Sequence, residues 1–222
     1  LWIRQLKRYI RSRAQMFGSL GQPILFLVAF GFGFGPIYKK AGGGNYIDFL
    51  APGIIAQGIL FTAVFSGIQM IWDRQFGFLK ETMVAPVSRL EIMLGRTLGG
   101  ATIAVLQGII ILCLSLIVGF RPYHWSAIPA AVLIMALIAF LFTGLGTAIA
   151  STMEDFHGFQ LIMNFLIMPL FFLSGALFPL DGLPGAINVI SRLNPLSYGV
   201  DGLRATLINS SHLGLGTDLL VL

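Results

Sequence analysis

Side chains able to make or break bonds are few in this chain, and their spacing suits no familiar reaction. The histidines His124, His157 and His212 lie far apart, and no His-Glu-x-x-His run sets two imidazoles one helical turn apart, so no metal centre is expected. Ser66 and Ser174 each precede a glycine, but the apolar stretches around them hold no histidine to act as a base. A phosphate-binding loop needs Gly-x-x-x-x-Gly-Lys followed by Ser or Thr, and none is present. The nearest glycine-rich run, Gly31-Phe-Gly-Phe-Gly35, is followed by Pro36 and reads as a surface for close helix packing. The lone cysteine, Cys113, has no disulfide partner within the chain and reads as a small core residue. An enzyme with its own nucleotide, metal or other cofactor is therefore not expected.

Two groups of residues remain. Gln57, Thr62, Ser66 and Gln69 are polar exceptions in an apolar stretch, and steps of five, four and three put them close to one helical face. They could serve as inter-helix hydrogen bonds or as a weakly polar lining for an amphipathic or hydrophobic solute. The second group is the charged run Trp72-Asp-Arg-Gln-Phe-Gly-Phe-Leu-Lys-Glu-Thr-Met-Val-Ala-Pro-Val-Ser-Arg89. The sequence predicts a short helix over Phe78 to Val84, stopped by Pro86, whose ring disfavours helix in the residue before it. Phe78, Leu79, Met83 and Val84 give it an apolar face, and Lys80 and Glu81 a charged edge. Such a knob suits a partner's groove; the alternative is packing against the chain's own helices.

The elements that must hold these residues follow from the distribution of charge. The 222 residues are 56% hydrophobic and only 10% charged, against about 25% in a soluble domain. Five windows carry no Asp, Glu, Lys or Arg: Ala14 to Tyr38, Phe49 to Trp72, Thr97 to Phe120, Pro122 to Met153 and Phe156 to Leu180. Each is long enough to cross a bilayer as a helix, which takes about 20 residues. A soluble enzyme, a disulfide-stapled secreted domain, a disordered chain and a β-barrel are thereby excluded. We expect an all-α membrane protein forming one transmembrane domain over 1–222, with spans near 19–38, 50–72, 98–119, 128–150 and 159–178. The spans hold no ionisable residue, so a pump driven by its own protonation is poorly supported, and energy should come from outside the chain.

Orientation follows from the basic residues. With a cytoplasmic N-terminus, Arg4, Lys7, Arg8, Arg11, Arg13, Arg74, Lys80, Arg89 and Arg96 lie inside, and Lys39, Lys40, Arg121, Arg192 and Arg204 outside. The net charge of +5 thus reports topology, not nucleic-acid binding. Trp2, Trp72 and Trp125 fall at segment edges, as interfacial rings do. Residues 1–17 read as an amphipathic helix on the cytoplasmic surface, with Arg4, Lys7, Arg8 and Arg11 on its basic face. It acts either as a simple anchor or also as a contact for a cytoplasmic partner. Residues 73–96 form the main internal loop. The segment 178–205 is too polar and too often broken by proline to cross, and could dip in and return as two short helices. Because the chain begins at Leu1 and stops within the apolar run Leu219 to Leu222, we expect the natural protein to extend at both ends.

Two blocks carry a family resemblance: Gly77-Phe-Leu-Lys-Glu-Thr-Met-Val-Ala-Pro-Val-Ser-Arg89, and Ser174-Gly-Ala-Leu-Phe-Pro-Leu-Asp-Gly-Leu-Pro184 continuing to Leu193-Asn-Pro-Leu-Ser-Tyr-Gly-Val-Asp-Gly-Leu-Arg204. In order and spacing the chain resembles the membrane subunit of type-2 ABC transporters, on the branch of drug-resistance exporters. That resemblance implies six spans per chain, of which five and the start of a sixth near Asp218 are present. It implies a second permease copy, as a homodimer, and a separate ATP-binding subunit that carries ATP and Mg. Phe78, Leu79, Lys80, Glu81, Thr82, Met83, Val84, Ala85 and Pro86 would occupy the coupling helix, and the N-terminal helix would be a second contact with the ATP-binding subunit. Pro179, Asp181, Pro184, Asn194, Pro195, Tyr198, Asp201 and Arg204 would belong to external re-entrant helices between spans five and six. Gly95 and Gly99 would allow close helix contact at the start of span three. The implied function is ATP-driven export of a hydrophobic or amphipathic drug or lipid across the cell's inner (plasma) membrane. Export of a polysaccharide or teichoic-type polymer is the rival within transport, and an ATP-independent channel or scaffold the rival outside it.

Overall fold

A lipid interior offers backbone N–H and C=O groups no partner, so an uncharged apolar window has to satisfy them within itself, as a helix. A computed structural model describes residues 2–40, 44–77, 88–179, 185–210 and 214–222, and every regular element among them is helical. In order these are α1 (Trp2–Arg11), α2 (Arg13–Lys40), α3 (Tyr46–Phe65), α4 (Ile68–Gln75), α5 (Arg89–Val118), α6 (Ile128–Thr152), α7 (Phe156–Phe172), α8 (Gly185–Leu193), α9 (Pro195–Ile208) and α10 (Leu215–Val221). A single 3-10 turn, Trp125–Ala127, leads into α6.

Among the described residues, four stretches are long and apolar enough to cross a membrane: Met16–Lys40, Tyr46–Gln75, Leu90–Val118 and Trp125–Thr152. The second is longer than the expected 50–72 and is interrupted, because α3 ends at Phe65 and α4 restarts at Ile68. Helix α5, at 30 residues, is about 45 Å long, more than a ~30 Å hydrocarbon layer needs. Its start is therefore free to reach into the polar interface. There Ser88 and Glu91 form a reciprocal capping box, the Glu91 amide donating to the Ser88 hydroxyl at 3.2 Å and the Ser88 amide to the Glu91 carboxylate at 2.7 Å. At the other end Gly119 closes α5 in the left-handed region, at φ 119°.

The expected fifth span, 159–178, is shorter than its apolar window. Helix α7 stops at Phe172, and residues 173–178 form turns. Asp218, the expected start of a sixth span, lies in the seven-residue α10, which is too short to cross a membrane.

Helix α3 is the axis of the bundle. Every residue from Leu50 to Leu60 is buried, with α2, α5, α6 and α9 packed round it. Between membrane helices, association rests on close packing more than on the hydrophobic effect, so small residues mark the tightest contacts. At Gly53 a Cβ would collide with the backbone of Ala176, and at Gly58 with the Ile111 side chain. At the joint between α3 and α4, a Cβ on Gly67 would lie 2.5 Å from the Gly146 carbonyl of α6.

Candidate functional site

Helix α1 does not lie loosely beside the bundle. Its Trp2 indole donates to Thr102 at 3.0 Å, and its Tyr9 hydroxyl donates to Gln107 at 2.6 Å, both on α5. Burial pushes the Tyr9 phenol above its usual 10.0, so it remains a neutral donor. A Cβ on Gly99 would overlap the Gln5 side chain. The close helix contact expected at Gly99 is thus made with α1, for which its missing side chain leaves room. The apolar residues Ile3, Ile10 and Phe17 stay exposed, as expected for a face turned to lipid.

A cleft of ≈ 420 Å³ opens between α1, the start of α2, the α3–α4 joint and α7. Phe61, Phe65, Ile103, Pro23 and Phe156 give it apolar walls. Gln57, Thr62, Ser66 and Gln69 all line it. Ser66 turns its hydroxyl back to the Ala63 carbonyl at 2.6 Å. Gln57 differs: it is buried, and neither its side-chain oxygen nor its nitrogen has a hydrogen-bond partner among the described residues. At the mouth, the Arg8 guanidinium sits 5.7 Å from the centre of the Trp72 ring, which stacks on Phe156 at 6.0 Å.

Next to the mouth, the chain is clamped just before it enters the charged segment 78–87. The Asp73 carboxylate accepts from Arg4 at 3.2 Å and from Arg96 at 2.8 Å, joining α1, α4 and α5. Arg96 is only 4% exposed, so this pair is largely shielded from water. Arg74 donates to the carbonyls of Met153 and Ser151 at 3.0 and 2.8 Å, and Gln75 donates to the Glu154 carbonyl at 3.1 Å. Helix α4 is thereby fastened to the turn between α6 and α7. That turn is itself capped: the Gly158 amide donates to Asp155 at 2.7 Å, which holds the carboxyl below its usual 3.8.

The opposite end of the bundle is organised round Arg204. This buried guanidinium donates to the Gly175 carbonyl at 2.7 Å and to those of Ala176 and Phe49 at 3.4 and 3.5 Å, and it lies 3.8 Å from the Phe49 ring centre. Tyr46 donates to the Leu177 carbonyl at 2.7 Å. Asn194 caps α9 through the Leu196 amide and donates to the Leu170 carbonyl at 2.6 Å. These side chains satisfy the irregular backbone after α7, which packs against the interior of α3 at Gly53. Helix α9 runs antiparallel to α6: Gly199 faces Ile138, Gly202 faces Ile134, and the Leu207 carbonyl accepts from the Tyr123 amide.

Of the residues singled out in the sequence, Arg4, Lys7, Arg8 and Arg11 share one face of α1 and one shallow depression. Phe78 to Pro86, together with Asp181 and Pro184, lie outside the described residues. Pro179 is exposed, Pro195 is the first residue of α9, Tyr198 donates to the Arg192 carbonyl at 2.8 Å, and Asp201 is buried. The sequence reading did not anticipate the Asp73, Arg74 and Arg96 clamp or the place of Arg8, Tyr9 and Trp72 in the cleft. The available signal was Arg96 beside the third apolar window, since a basic residue at the edge of a span needs a named partner.

Comparison with known proteins agrees with this architecture. The sequence pattern of the ABC-2 type transporter family matches residues 1–208. Nodulation protein J of Rhizobium leguminosarum bv. trifolii is 31% identical over 197 residues, covering 88% of this chain and 74% of that protein. A putative transport permease, ycf38, of Pyropia yezoensis is 33% identical over 200 residues, covering 87% and 68%. Its counterpart in Porphyra purpurea is 32% identical over 197 residues, covering 87% and 68%. The chain belongs to the ABC-2 type transporter family. It is accordingly a multi-pass membrane permease with a role in transport.

Proposed function

We propose that this chain is the membrane-spanning subunit of an ATP-driven exporter whose cargo is a hydrophobic or amphipathic drug or lipid. Two copies form the path, the N-terminus faces the cytoplasm of a cell whose inner membrane holds the protein, and a separate subunit binds ATP and Mg. The observation that carries this reading is the ≈ 420 Å³ cleft: apolar walls, one polar strip on α3 and α4, and an open end beside the clamp that leads into 78–87. Its volume lies within the range of about 300–1,000 Å³ usual for small-molecule sites.

Coupling follows from the clamp. A partner that grips Phe78 to Pro86 pulls on α4, and α4 is fixed to α5 through Asp73 and Arg96 and to the α6–α7 turn through Arg74. The weak point is the α3–α4 joint at Ser66 and Gly67, which borders the cleft. ATP-driven closure of the partner would thus reshape the cleft through a joint already built into the second span.

The test uses the full-length protein with its ATP-binding subunit in lipid nanodiscs. Amphipathic compounds should stimulate ATP hydrolysis, and F78A or E81A should abolish that stimulation while both subunits remain folded. Stimulation by undecaprenyl-linked sugars alone would favour the polymer reading. Solute movement with no nucleotide and no second subunit would favour a channel.

A further inference from the structure

Among the described residues, the lining of the cleft contains a single charged side chain, and it is a cation. Arg8 stands at the mouth, flanked along α1 by Arg4, Lys7 and Arg11 on the same face. Among the described residues no carboxylate lines the cleft, and the nearest acid of the clamp, Asp73, already accepts from both Arg4 and Arg96. The potential at the mouth is therefore positive. At the other end is Gln57, buried to 1% exposure, with its oxygen and nitrogen both without a partner among the described residues. An unpaired buried amide costs free energy that a ligand group can recover. Between the two, the walls are Phe61, Phe65 and Ile103. From Gln57 to Trp72 the helix advances about 22 Å, the reach of an extended alkyl chain rather than of a compact solute.

We propose that the cleft recognises an elongated anionic amphiphile, with its acidic headgroup on Arg8 beside Trp72 and a hydrogen-bonding group at the far end of its chain on Gln57. This deepens the cargo assignment and rests on reading the cleft as the cargo site. It also makes α1 part of the binding site, so the helix does more than anchor the chain at the membrane surface. The headgroup is held by a charge-assisted contact at the mouth, where water still competes. The inner group is chosen by the Gln57 amide, which a plain hydrocarbon tail leaves unsatisfied.

The experiment is titration calorimetry on the full-length protein with its ATP-binding subunit in nanodiscs of neutral lipid. The probes are ω-hydroxyhexadecanoate, hexadecanoate and hexadecyltrimethylammonium, used where the carboxylate is ionised. Expected is a preference of at least about tenfold for the carboxylates over the ammonium, and about fivefold for the hydroxylated chain over the plain one. R8Q should remove the charge preference, R8K should keep it, and Q57L should remove only the hydroxyl preference. If R8Q does not fold, loss of the charge preference of the unaltered protein at high salt takes its place. Equal affinity for anion and cation, equal affinity for the two carboxylates, or a cleft filled by the second copy so that no probe binds overturns the assignment. ATP hydrolysis in the same samples separates the two readings. Charge-selective binding with no change in hydrolysis sinks the export reading and leaves the site, whereas stimulation by all three probes alike sinks the site and leaves export.

Discussion

The two ends of the bundle hold polar groups in apolar surroundings in opposite ways. At the far end one guanidinium meets the irregular-backbone carbonyls of Gly175 and Ala176 and the α3 carbonyl of Phe49, and Tyr46 and Asn194 take up the carbonyls of Leu177 and Leu170. At the α1 end, Gln57 is also buried, and its amide has no partner among the described residues. A satisfied polar network fixes one conformation; an unsatisfied group beside an open volume marks a place kept for something else. The far end ties down its irregular backbone in this way, although the Arg204 Nε and both Asp218 carboxylate oxygens have no partner among the described residues, whereas the α1 end, with its broken second span, borders an open volume.

The comparison can be broken most forcefully at Arg204. R204L removes the donor from three buried carbonyls and should cost on the order of 4 kcal/mol, read as loss of folded protein in detergent melts. A near-neutral result would show that water already reaches this end. D73N should cost less, about 2 kcal/mol, because Arg96 is buried but Arg4 is half exposed. Its sharper signature is the release of α1, seen as faster proteolysis before Ser12. Q57L should have the opposite sign, gaining about 1 kcal/mol of stability while weakening ligand binding in the cleft. The smallest effect belongs to Asp155. Its carboxyl is held below the usual 3.8 by the Gly158 amide, so its charged form supports the fold above that pH. That support is lost as the pH falls through the depressed value of the folded state. The stability difference between the unaltered protein and D155N should therefore be constant near neutrality, begin to shrink near 3.8 and vanish only once the pH is below the depressed value of the folded state.

Much of this architecture can be read from the chain before any coordinates, and the misses have physical causes. Charge-free windows have to become helices, and the steps of five, four and three in the second window place Gln57, Thr62, Ser66 and Gln69 on one side of it. The break at Ser66 and Gly67 is not visible in hydropathy, because neither residue is charged and the window stays apolar throughout. The early end of α7 is hidden for the same reason: residues 173–178 are apolar enough for a span, and the donors on Arg204 and Tyr46, with the Ser174 hydroxyl accepting from the Ala176 amide, make a non-helical path tolerable there. Gly99 reads as a place for close helix contact, but that its neighbour is Gln5 of α1, 94 positions away, cannot be read from the spacing.

What the sequence alone determines is the class of environment and the helical nature of the chain. Both follow from local free energies of transfer that each window carries wherever it goes. Which helices touch, that Arg8 shares a cleft with Gln57, and that Asp73 bridges Arg4 and Arg96 were decided only in three dimensions. Those pairings depend on where small residues let backbones meet, and that is a property of two surfaces together which neither segment carries by itself.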